Sequence, residues 1–109
     1  MAIGALAALA QETRLDVFRA LVQAGPEGLP AGAIGARLEI PSATLSFHLK
    51  ELKNAGLIRC ERQGRSRIYS PDFSVTRELI QFLTANCCQG AEATDALRRE
   101  CDFGDEAEF

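Results

Sequence analysis

Four cysteines, Cys60, Cys87, Cys88 and Cys101, are the residues of this chain best suited to soft-ligand chemistry. Cys87 and Cys88 are adjacent, and neighbouring Cα atoms stand about 3.8 Å apart, below the roughly 4.4–6.8 Å usual for a disulfide. A bond between them would be strained, yet two neighbouring thiols can close on one soft ion. Thiolates select thiophilic ions. Trivalent arsenic or antimony, As(III) or Sb(III), has a lone pair and takes a pyramid of three sulfurs. Cys101, further along the chain, can supply the third sulfur from the same subunit or from a second one. Zinc suits the set less well, because it usually takes four ligands with histidine or carboxylate among them. No histidine lies near the pair. Cys60 alternates with Ile58 and reads as a small inward-facing hydrophobe.

A second set of residues falls within 42–50. Ser42, Thr44, Ser46, Phe47, His48 and Lys50 stand beside Leu45, Leu49 and Leu52, whose spacing makes one apolar helical stripe. With the leucines inward, the other side offers small hydroxyls, a ring and a cation near a helix N-terminus. Such a surface suits base edges and phosphates in a DNA major groove. Phe47 offers an apolar face to a thymine methyl, or turns to the core if the helix is rotated. Ser42 reads as the N-cap as well as a contact. His48, the single histidine, stands among this set and reads as a packing residue ahead of a metal ligand. Arg65 and Arg67 follow, suited to phosphate or minor-groove contact.

The net charge of −3 argues against such a partner until it is mapped along the chain. Residues 92–109 hold seven acids and two arginines, whereas 37–67 hold seven bases and three acids. The acidic tail masks a basic central segment. The 109 residues support one domain, residues 1–90, with 91–109 as an acidic tail carrying Cys101. No run approaches the roughly 20 apolar residues that span a bilayer, and no basic leader opens the chain. A cytoplasmic protein with reduced thiols and no membrane association is therefore expected.

Apolar periodicity predicts helices over Ala5–Leu9 and Glu12–Ala24, the second with Leu15, Phe18, Leu21 and Val22 on one face. Gly25-Pro26 stops it, and Gly28-Leu29-Pro30 reads as a connector. A third helix follows over Ala31–Leu38, then the segment opened by Ser42 and closed by Gly56, with Leu57 returning onto Leu52. Ile58–Arg62 and Ser66–Ser70 alternate as strands around Gln63-Gly64-Arg65. A last helix is predicted over Ser74–Asn86, with Val75, Leu79, Phe82 and Leu83 on one face. A short helix over Ala91–Glu100 and a disordered acidic end are expected beyond it. The fold class is mainly α with a β-hairpin wing (α+β), a winged helix-turn-helix of order ααααββα.

The stretch from Pro41 to Ile58, with its Ser46-Phe47-His48-Leu49 core, resembles the recognition helix of the ArsR/SmtB repressor family. Glu12-Thr13-Arg14-Leu15 and the Gly64-Arg65…Ile68-Tyr69 wing resemble the same family, so the likeness covers roughly residues 5–86. It departs from some members: 31–38 has no Cys-x-Cys, and the last helix lacks the family's zinc-binding Asp and His. Asn86-Cys87-Cys88-Gln89-Gly90 is similar to an arsenic-responsive subgroup with a vicinal pair and a tail cysteine. The resemblance implies a homodimeric repressor, joined through its first and last helices. It would bind double-stranded operator DNA and leave it when trivalent arsenic occupies Cys87, Cys88 and Cys101. A thiol-based redox or sulfide sensor on the same fold is the alternative. An enzyme is not expected, since no Cys-x-x-Cys, phosphate-cradling loop or acid–base cluster accompanies the cysteines.

Overall fold

The structure, a computed structural model, describes residues 2–88. The predicted tail helix, the acidic end and Cys101 lie outside the described residues. The elements are α1 (Ala2–Leu9), α2 (Glu12–Ala24), β1 (Leu29–Pro30), α3 (Ala31–Leu38), α4 (Ser42–Asn54), β2 (Ile58–Gln63), β3 (Ser66–Pro71) and α5 (Phe73–Leu83). This is a winged helix-turn-helix in which α2, α3 and α4 pack together and β2 and β3 form the wing. No helix among the described residues is long and apolar enough to cross a membrane.

The core forms where the apolar stripes meet. Val17, Phe18 and Leu21 of α2, Ile34 of α3, and Leu45, Leu49 and Leu52 of α4 are buried with Leu57 and Ile58. The α4 stripe lies as its spacing predicts. In α2 the inward face is rotated: Val17 and Ala20 are buried, while Leu15 and Val22 are exposed. Four apolar types on a short helix fit two overlapping faces, and contact with α4 selects the one containing Val17.

Helix ends account for several differences from expectation. Pro41, not Ser42, is the N-cap of α4, without a side-chain bond; Ser42 is the first helical residue and is exposed. The C-terminus closes as predicted. Gly56 takes φ 81°, its N–H donates to the Lys53 carbonyl at 3.0 Å, and the Leu57 N–H donates to the Leu52 carbonyl at 3.1 Å. That is a Schellman pair, with both leucines fully buried against each other's turn. Helix α5 starts one residue earlier than predicted, because Asp72 caps it by accepting from the Ser74 and Val75 N–H groups. These bonds, with the Ser74 hydroxyl foremost, hold the Asp72 carboxyl below its usual value. The helix also ends earlier, at Leu83. The Thr84 hydroxyl turns back to the Ile80 carbonyl, and Asn86 and Cys88 adopt positive φ. Helix α1 begins at Ala2 rather than Ala5.

The connector before α3 holds an unpredicted strand. Leu29 and Pro30 pair antiparallel with Tyr69 and Ile68, giving a three-stranded sheet of order β1-β3-β2. Gly28 makes this possible: its φ is +77°, and a Cβ there would run into the Tyr69 carbonyl oxygen. A two-residue strand is too short to show alternation. The β2–β3 hairpin is one residue longer on each strand than predicted. It turns through Gly64-Arg65, with Gly64 at φ +61°.

Candidate functional site

The outward face of α4 lies opposite its leucine stripe. Ser42, Thr44, Ser46, Phe47 and Lys50 are all exposed there, and Phe47 retains 56% of its surface. Ala43 shares that face, a position the sequence reading did not single out; its small side chain lets a partner approach the backbone. The wing adds Arg59, Arg62, Arg65 and Arg67, all exposed. Arg62 and Arg67 stand directly opposite across the hairpin. Like charges so placed repel unless an anion is shared between them.

His48 does not join the exposed set. It is 7% exposed, the one buried polar side chain in the described core, so it is withdrawn from the candidate DNA contacts and keeps the packing role. The reason is helical phase: His48 lies one turn before Leu52 and beside Leu45 and Leu49. Arg14, on α2, donates from Nε to His48 Nδ1 at 3.4 Å. Burial, then the Arg14 charge, lowers the His48 pKa below 6.5. The folded state therefore favours neutral His48. Its contribution to stability is complete above pH 6.5 and is lost as the pH falls through 6.5 towards the lower folded value. The urea midpoint is expected to drop between pH 7.5 and pH 5 by more in the wild type than in a His48→Gln variant. Equal drops would show that His48 does not contribute.

Cys60 is half-buried on β2, opposite Tyr69 in the β3 register. Burial, followed by the adjacent Cys60 thiol, raises the Tyr69 phenol.

Cys87 and Cys88 lie in the turn just beyond α5, fully exposed, with their Sγ atoms 3.1 Å apart. Neighbouring side chains in extended backbone point to opposite sides. Here the Cys87 N–H donates to the Thr84 carbonyl at 3.0 Å and Cys88 takes φ 66°, which brings both sulfurs together. The hydrogen bond with Cys88 raises the Cys87 thiol above its ordinary value, so Cys87 holds its proton. A Cys88→Ala variant is expected to alkylate faster at Cys87 at pH 8, measured by iodoacetamide labelling and mass spectrometry. An unchanged rate would mean that the sulfurs do not interact in solution. Among the described residues no group of three or more His, Cys, Asp or Glu side chains stands ready for a metal; Cys101, the expected third sulfur, lies outside them.

The uncovered apolar surface is the other prominent feature. Ile3 and Leu6 on α1, and Phe73, Ile80, Phe82 and Leu83 on α5, are exposed, and no residue of α5 is buried. Between the two helices runs a mainly apolar groove of about 320 Å³, lined by Ala2, Ala5, Ala55, Val75, Leu79 and Phe82 with Glu78 among them.

Residues 9–61 match the family described as "Helix-turn-helix domain". The chain is 36% identical over 63 residues to the "Uncharacterized HTH-type transcriptional regulator YceK" of Bacillus subtilis, a match covering 58% of this chain and 62% of YceK. It is 28% identical over 88 residues to the "Transcriptional activator HlyU" of Vibrio cholerae, covering 81% and 79% respectively. The solved HlyU structure superposes with a TM-score of 0.64 over 81% of this chain and 92% of that one. A further structure of it is described as "Reduced HlyU". The homodimeric winged helix-turn-helix DNA-binding domain of Mb0332 from Mycobacterium bovis, "a possible ArsR-family transcriptional regulator", shares the fold. Its TM-score is 0.63 at 24% identity, covering 81% of this chain and 80% of that one. The relatives are helix-turn-helix transcriptional regulators, and this chain carries the fold they share.

Proposed function

We propose that the protein is a cytoplasmic, homodimeric transcriptional repressor that binds operator DNA through α4 and the wing and releases it on capturing trivalent arsenic. The observation that carries the sensing half is the exposed pair of thiols 3.1 Å apart, immediately after the helix with the uncovered apolar face. The DNA half is supported by the exposed α4 row, the wing arginines and relatives named as transcriptional regulators. Two copies joined through α1 and α5 would set two α4 helices about one DNA turn, roughly 34–36 Å, apart.

Arsenous acid suits thiols that hold their protons. Each thiol proton leaves with one hydroxide of the acid as water while a sulfur–arsenic bond forms, so Cys87, Cys88 and Cys101 would release three waters and no net proton. Closing this site draws the tail against the end of α5 and biases the dimer towards the form that binds DNA poorly. A coupling of about 1–3 kcal/mol changes affinity roughly 5- to 150-fold. The test is a titration of operator-bound protein with arsenite, zinc and peroxide separately. Release by arsenite alone supports the reading, and retention of the operator with arsenite removes it.

A second reading, a thiol-based redox or sulfide sensor, is favoured by the relative described in a reduced form. In that reading an added peroxide takes two electrons from a pair of thiols, leaving a disulfide and two waters. Release by peroxide without arsenite would select it.

A further inference from the structure

We infer that Arg14 is a positioning residue for DNA reading, tying α1, a helix of the uncovered apolar face, to the outward ring of α4. The inference rests on the proposed DNA-binding role of α4.

One guanidinium makes three contacts that no other side chain combines among the described residues. Its Nη1 donates to the carbonyl of Ala8 at 3.4 Å, in the last turn of α1, where backbone carbonyls lack helical partners. Its Nε donates to His48 Nδ1 at 3.4 Å. Its central carbon sits 5.8 Å from the centre of the Phe47 ring, within cation–π range. Phe47 also meets the His48 ring in a T-shaped contact, with ring centroids 5.7 Å apart.

Phe47 needs such a brace. It stands on the outward face of α4, clear of the leucine core, and an unsupported ring there would sample several rotamers. Arg14 and His48, both in contact with the ring, narrow the directions it samples, which favours a base-specific contact. The same guanidinium also caps α1. A change in how α1 seats against a second subunit is thereby transmitted to the ring without passing through the leucine core.

The planar fork matters more than the charge. Lysine keeps the charge but donates from a single nitrogen, without the planar fork whose separate nitrogens reach the Ala8 carbonyl and His48 Nδ1 while its face lies over the ring. The experiment measures affinity for two duplexes: one selected by the wild-type protein from a random-sequence pool, and a scrambled duplex of equal length and composition. Arg14→Lys is expected to lose roughly tenfold on the selected duplex, as loss of one base contact would, and less than about twofold on the scrambled one. In a Phe47→Ala background the same substitution should cost less than about twofold on either, because coupled residues are not additive. Thermal melts of each variant confirm folding.

Equal losses on both duplexes, or an undiminished loss in the Phe47→Ala background, would mean that Arg14 only stabilises the subunit and would overturn the inference. Wild-type affinity for the selected and scrambled duplexes alike would instead remove the DNA reading itself.

Discussion

A Cys87→Ser/Cys88→Ser protein is expected to fold and bind its operator as the wild type does, and to stay bound when arsenite is added. Both side chains are exposed and contribute nothing to the core, so their replacement should change stability by no more than about 0.5 kcal/mol. The sulfurs are also remote in sequence from α4 and the wing, so affinity without ligand should hold. What disappears is the soft donor pair. Serine oxygen is a hard ligand with no preference for trivalent arsenic, and a lone Cys101 cannot complete a three-sulfur pyramid. The whole arsenite-dependent change in affinity, about 5- to 150-fold if the coupling is ordinary, should therefore be lost. Cys60→Ser serves as the control: half-buried opposite Tyr69, it belongs to the wing and should leave the response intact. Fluorescence anisotropy of labelled operator, titrated with arsenite, reads the effect. Normal release from the doubly substituted protein would rule out the vicinal pair as the sensor.

The parts of this fold legible in sequence are those where one periodic signal dominates. Leu45, Leu49 and Leu52, with Gly56 and Leu57 behind them, admit one helical phase and one ending, and α4 follows both. The wing was equally plain, because alternating residues flank a glycine. Where two local choices suit the chain equally, sequence pattern does not separate them. Ser42 and Pro41 both suit a helix start, and the helix takes proline as its N-cap. Leu15 and Val17 both fit an apolar face, and only the neighbouring helix decides between them. β1 and the Arg14–His48 contact depend on chain segments far apart in sequence, so no local pattern announces them. Asp72 did leave a signal, a capping residue just before a periodic run, and the helix starts there. The sulfur pair was legible as two adjacent residues; its short separation depends on the left-handed backbone at Cys88.

The second large effect concerns the α1–α5 face. Phe82→Glu is expected to leave the subunit folded while converting the protein to monomer at micromolar concentration. Within one chain Phe82 keeps 66% of its surface exposed, so its own fold gains little from the ring. Ile80 at 56%, Leu83 at 57% and, on α1, Ile3 at 82% add further exposed apolar surface. An amphipathic helix that packs only Val75 and Leu79, half-buried, against its own core and leaves its other large apolar residues exposed gains further stabilisation from another chain. Full burial of a phenylalanine contributes about 1.5–3 kcal/mol. A two-fold interface contains the residue twice, so the pair contributes about 3–6 kcal/mol, and two buried carboxylates add a further penalty. The dimer dissociation constant should rise at least about a hundredfold, read by sedimentation equilibrium. Operator affinity should fall with it, since a dimer joins two half-site contacts into one event and a monomer does not. A protein that remains dimeric at the same concentration would show that α5 faces something other than a second copy.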